Sequence, residues 1–84
     1  MKIKKDLVIE IIEDSYTIYD PIEDRLISLN LSASLIFEWI LKNKEINDMI
    51  KEYAKIYEIS QEKAKEDIYG VIEELKKEGV IVND

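Results

Sequence analysis

The stretch from Arg25 to Trp39 constrains this chain more than any other, because it turns a strand into a helix with almost no linker. Arg25-Leu26-Ile27-Ser28-Leu29 reads as a short strand. Asn30 and Ser32 follow, and their side-chain oxygens can accept the unpaired backbone N–H groups of a first helical turn. Behind them Ala33, Ile36, Phe37 and Ile40 recur at helical spacing and make one apolar face.

The flanking segments fit that frame. Residues 7–12 and 15–20 read as two earlier strands joined by Glu13-Asp14. This pair lacks the Asn-Gly chemistry that favours a two-residue turn, which leaves room for a longer loop. Pro21 with Glu23 and Asp24 marks the next turn, since proline presets φ and cannot donate to a ladder. Beyond the first helix, about 31–42, Asn43 suits a left-handed C-terminal cap. A second helix is expected at about 46–57, with Ile46, Met49, Ile50, Tyr53 and Tyr57 on its core face. Ser60 caps a third helix reaching about Glu78, and Gly79 supplies its left-handed end. Val80-Ile81-Val82 has strand character and forms either a short wing or a segment packed back on the bundle. The expected fold is α+β and winged-helix-like: a three-stranded antiparallel β-meander at about 7–29, then a three-helix bundle at about 31–78 with a short C-terminal strand. Residues 1–84 make a single domain, since 84 residues have room for one modest core.

Composition excludes several classes of function. The chain has no Cys and no His, which removes disulfides, thiolate nucleophiles, zinc–sulfur sites and the commonest general base. Neither of its two glycines lies between a strand and a helix start, so it has no phosphate-binding loop. The reading is therefore of a protein that is not an enzyme and needs no cofactor or metal. A net charge of −7, with 19 acidic residues against 12 basic ones, argues against a nucleic-acid partner. No apolar run is long enough to span a membrane, and the basic N-terminus is followed by Glu10 and Glu13 instead of a signal-peptide core, so a cytoplasmic location is expected.

Binding chemistry has three candidate places. The strand at 25–29 is an edge of the meander, and an edge offers unpaired N–H and C=O groups to an extended peptide. It carries Arg25, the only arginine, which either keeps the edge soluble or pairs with a carboxylate of an incoming acidic peptide. On the third helix Ala64, Ile68, Val71, Ile72 and Leu75 form a core stripe. One shoulder carries Lys65, Tyr69 and Lys76, and the other Asp67, Glu74 and Glu78. Both shoulders are solvated boundaries, or else the Lys/Tyr shoulder faces the 25–29 strand across a groove. Leu35 and Trp39, one turn apart on the first helix, pack on the sheet or form a contact surface.

The ordered set of these features resembles the PqqD-like family, whose members recognise the leader segments of ribosomally made, enzymatically modified peptides. Arg25 to Asn30 resembles that family's strand ending in Leu-Asn. Ser32-Ala33 with Ile36-Phe37 resembles its helix start, and Tyr57-Glu58-Ile59 its break before the last helix. Asp67-Ile68, Val71-Ile72, Leu75 and Gly79-Val80-Ile81 resemble its closing motif. Phe37 stands where a Trp is usual, Asn43 where a Gly is common, and Ile46 where a capping Thr is frequent. The resemblance implies a recognition element that takes a leader peptide as an added antiparallel strand on the 25–29 strand, against the third helix. It then presents the peptide to a radical-SAM enzyme or a leader peptidase. Arg25, Leu26, Ile27, Ser28 and Leu29 would make the strand contacts, and Lys65, Ile68, Tyr69, Ile72 and Lys76 the helix wall. The partners implied are the leader and its enzyme, with no nucleic acid or membrane, for a monomer or weak homodimer. Two rival readings are a winged-helix DNA-binding regulator, which needs a basic third helix, and a protein–protein adaptor without a peptide groove.

Overall fold

In the computed structural model, which describes residues 1–82, the chain runs β1 (Lys2–Ile3), β2 (Val8–Ile12), β3 (Ser15–Asp20), β4 (Arg25–Ser28), α1 (Leu31–Leu41), α2 (Ile46–Tyr57), α3 (Gln61–Lys77) and β5 (Ile81–Val82). Residues 83 and 84, the end of the expected single domain, lie outside the described part. Strands β2, β3 and β4 form the expected meander, so β4 is the strand read at 25–29. The α+β class and three-helix order hold as well.

The register sorts the meander into two faces. Ile9, Ile18 and Ile27 lie side by side across it, and Ile18 is fully buried in the core. On the opposite face Val8, Tyr19 and Leu26 make a second row, with Val8 and Leu26 exposed to solvent. The hairpin at Glu13-Asp14 is a two-residue turn after all, since Ile12 pairs with Ser15. Both turn residues take positive φ, 51° and 69°, the geometry whose twist matches that of the flanking strands.

Helix α1 starts where the sequence placed it: the Asn30 side chain accepts the Ala33 N–H at 2.8 Å. Its buried side includes a residue that apolar periodicity does not single out. Ser34 is 1% exposed, and its Oγ accepts the Tyr16 N–H at 2.9 Å and donates to the Leu29 carbonyl at 3.4 Å. The hydroxyl takes over the ladder at the point where β4 ends and the chain turns into α1, so no buried main-chain donor is left unpaired there. Phe37 meets Tyr16 edge-on at 5.3 Å between ring centres.

Both ends of α3 are built as expected, with Ser60 Oγ accepting the Lys63 N–H and Gly79 at φ 76°. The Gly79 and Val80 N–H groups return to the carbonyls of Lys76 and Leu75, at 3.1 and 2.8 Å, the paired bonds of a Schellman end. That turn aims β5 back along the bundle to pair with β1, with Lys2 opposite Val82 and Ile3 opposite Ile81. Of the two placements open for 80–82, the segment is thus packed back, and its partner is an N-terminal strand absent from the sequence reading. A pair of two-residue strands is too short to show periodicity, and the N–H of Lys4 donating to the Val80 carbonyl at 2.9 Å extends it.

Trp39 is buried at 7% exposure with the Lys44 ammonium 5.1 Å from its ring centre. Tyr57 departs from the expected core face: it is 40% exposed, its ring tilted against Tyr53 at 4.5 Å. No helix is long and apolar enough to cross a membrane among the described residues.

Candidate functional site

The hydrogen-bond parity of β4 follows from one bond. The Leu29 N–H donates to the Tyr16 carbonyl at 2.9 Å, which makes Tyr16 and Leu29 a bonded pair. Antiparallel ladders alternate bonded and non-bonded pairs, so Ile27 and Arg25 also turn their main chains towards β3, opposite Ile18 and Asp20. Leu26 and Ser28 are left with N–H and C=O pointing away from β3, along an edge that no other strand covers among the described residues. Leu26 is 66% exposed, and Ile27 is partly buried against the core.

Helix α3 runs back past that edge, as a contact at one end and a shared depression at the other indicate. At one end Arg25 Nη1 donates to the Glu78 carbonyl at 3.2 Å and lies 3.8 Å from its carboxylate. At the other, Ser32, just past β4, shares an open depression of about 650 Å³ with Tyr53, Asp67, Gly70, Val71 and Glu74. The Tyr53 hydroxyl donates to Asp67 at 3.3 Å, and Lys63 lies 3.2 Å from the same carboxylate. Burial, aided by the Asp67 charge, pushes the Tyr53 phenol up. Glu74 has no ionic partner among the described residues. Gly70 leaves open space where a side chain would stand, with nothing within 4 Å of an added Cβ.

The turn that leads into β4 is pinned by Asp20, which is 3% exposed. Its carboxylate accepts the N–H groups of Ile22 and Glu23 at 3.0 and 3.2 Å and pairs with Lys4 at 2.6 Å. The Lys4 hydrogen bond, joined by these two N–H donors, holds the Asp20 carboxyl below the usual range. Tyr19 donates to Asp24 at 2.8 Å on the outer side of the same turn, and that bond raises its phenol.

The structure brings Arg25, Leu26, Ile27, Ser28 and Leu29 together along β4 and the start of the junction. It does not bring the expected helix wall to them. Lys65 and Tyr69 stand on the other side of α3, where with Asn47, Ile50 and Lys51 they line a separate depression of about 350 Å³ against α2. Ile68 and Ile72, at 0% and 2% exposure, are sealed in the core. Lys76 is exposed and lies 3.6 Å from Glu73. The shoulder beside β4 is the acidic one, with Val71 as its half-buried apolar residue. A helical wheel gives the width of a core stripe but leaves open which shoulder meets which neighbour. The available signal was the lone Arg25, which the acidic shoulder complements and the Lys/Tyr shoulder does not. Its guanidinium is therefore already engaged by Glu78. Leu35 is partly buried and borders a third depression, of about 340 Å³, with Ile11, Leu31, Glu38 and Tyr57.

Two solved structures share this fold. One is TbiB1 in complex with the TbiA(beta) leader peptide, 18% identical, with a TM-score of 0.87 over 100% of this chain and 99% of that one. The other is a lasso peptide synthetase B1 complexed with the leader peptide, 20% identical, with a TM-score of 0.90 over 98% and 96% of the two chains. A search of curated proteins found no match. The sequence profile of the family described as coenzyme PQQ synthesis protein D (PqqD) matches residues 15–81, from the first residue of β3 into β5. The chain belongs to the PqqD family.

Proposed function

We propose that this chain binds the leader segment of a ribosomally made precursor peptide as a strand added to β4, in the gap beside α3. It presents the attached peptide to a modifying enzyme, of the radical-SAM or leader-peptidase kind, and does no chemistry itself. One observation carries the reading: the main-chain groups of Leu26 and Ser28 face an uncovered edge that has a helix flank alongside. Main-chain bonds to such an edge give affinity with little dependence on sequence, and side chains reaching the helix give selectivity. The leader peptides in the two similar structures support the same reading. The rival readings lose the features they need. A DNA-binding regulator wants a basic third helix, whereas the flank beside β4 carries Asp67, Glu74 and Glu78. An adaptor without a groove wants an exposed Trp39 and a covered edge, and Trp39 is buried while the edge is open.

The test is an amide-resolved NMR titration of the labelled chain with the leader half of a precursor encoded beside it. Perturbations along 25–29 and at Asp67, Gly70, Val71 and Glu74 are expected. Perturbations confined to Lys65, Tyr69 and α2 would put the peptide on the other shoulder and refute the proposal. Ser28→Pro sharpens the test, because its lost N–H points outward and proline is tolerated at such edge positions. The variant is expected to fold and to lose binding; unimpaired binding would exclude strand addition at this edge.

A further inference from the structure

A strand added antiparallel to β4 has the direction of its side chains fixed by the parity already derived. Residues opposite Leu26 and Ser28 form bonded pairs and point outward with them, so the one opposite Leu26 extends the row of Val8, Tyr19 and Leu26. The residues between point inward, opposite Leu29, Ile27 and Arg25, spaced by roughly 7 Å. They run along a helix flank on which Val71, Glu74 and Glu78 cover a similar span, at about 1.5 Å per residue. On that spacing the inward residue opposite Leu29 would lie by Gly70 and Val71, the next by Glu74, and the last by the Arg25–Glu78 pair.

These three inner positions differ in what they offer. The first is apolar and roomy. The third is a charge pair already closed on itself. The middle one presents a carboxylate with no ionic partner among the described residues, next to the apolar surface of Ile27 and Val71. A lysine or arginine satisfies both demands, because its stem covers apolar surface while its head reaches the charge. An acidic side chain there would face Glu74 in a chain of net charge −7, while Arg25 and Lys63 on this flank are already paired with Glu78 and Asp67.

On the reading that this edge takes a leader strand, we infer that the leader carries an apolar residue opposite Leu26 and a Lys or Arg pointing inward opposite Ile27, where Glu74 selects it. The open edge is the site, and Glu74 discriminates among the strands that could occupy it. The leader is thus basic at this point, the reverse of the acidic peptide that Arg25 alone suggests.

The experiment uses two short fluorescein-labelled peptides, leucine at alternate positions with threonine between, in which one central threonine is replaced by Lys or by Glu. Fluorescence anisotropy measures affinity, and the β4 amides are followed by NMR in the same samples. The wild type is expected to favour the Lys peptide by about fivefold, the scale of a partly exposed ion pair. Glu74→Lys is expected to reverse the preference. Glu73→Lys changes the net charge equally but lies round the helix beside Lys76, and is expected to leave the preference in place. Binding at β4 with no preference, or a preference that Glu73→Lys and Glu74→Lys alter alike, overturns the inference while strand addition stands. No response of the β4 amides to either peptide overturns strand addition, and the inference with it.

Discussion

Gly70 sits within an α-helix, where glycine is normally unfavourable, yet a Cβ there would touch nothing. Its backbone borders the depression beside β4, so a bound strand can approach the helix closely at that point. Gly70→Ala is expected to raise the unfolding free energy by about 0.5–1 kcal/mol, the ordinary helical difference between the two residues. Binding of a leader strand should weaken at the same time. Urea denaturation and a binding titration on the same variant check both halves, and a stability gain without a binding loss would remove Gly70 from the site. Arg25 illustrates the opposite case: its charge looks available in the sequence and is spoken for in the fold, by the carbonyl and carboxylate of Glu78. Ser34 could not be found from apolar periodicity, because its place in the core depends on a main-chain N–H that only the completed β3–β4–α1 corner leaves unpaired.

Among the elements, the turn from β3 to β4 determines where the β4 edge begins, and Asp20 holds that turn together with Lys4 of the N-terminal segment. The Asp20 carboxyl is held below its ordinary value of 3.8, so the folded state favours its ionised form more than the unfolded chain does. The stability it contributes is complete above that ordinary value and is lost as the pH falls through the depressed one. Acid unfolding should therefore be less steep in Asp20→Asn than in the wild type at the low end of the curve, as circular dichroism across that range would show; superimposable slopes would deny the linkage. The helices and the meander were legible in the sequence because each has a cap, a turn residue or a periodic face that acts locally, as at Asn30, Ser60 and Gly79. The β1–β5 pair was not legible, since two residues a side carry no pattern and the pairing exists only once the Schellman turn redirects the chain. The turn at Glu13-Asp14 was tighter than its composition suggested, because the register of Ile12 with Ser15 requires left-handed residues there whatever their identity.

For the whole molecule, the sequence specified what is brought together more fully than which side faces which. The edge residues Arg25 to Leu29 were read in place, and so was a third helix beside them, but the shoulder of that helix depends on how the bundle seats against the sheet. The bundle sets Asp67, Val71 and Glu74 in one depression with Ser32, just past β4, and turns Lys65 and Tyr69 towards Asn47, Ile50 and Lys51 of α2. The proposed binding surface is a main-chain edge with an acidic flank, in a chain whose overall charge is also negative. Its central property is the alternation along β4, where Ile27 is bonded inward while Leu26 and Ser28 are free to bond outward. Amide hydrogen exchange of the labelled chain, with and without the leader half of a precursor encoded beside it, reads that alternation directly. Strand addition predicts that Leu26 and Ser28 exchange fast alone and slow by at least tenfold in the complex, while Ile27 is protected in both. Unchanged exchange at Leu26 and Ser28 in a saturated complex would contradict it.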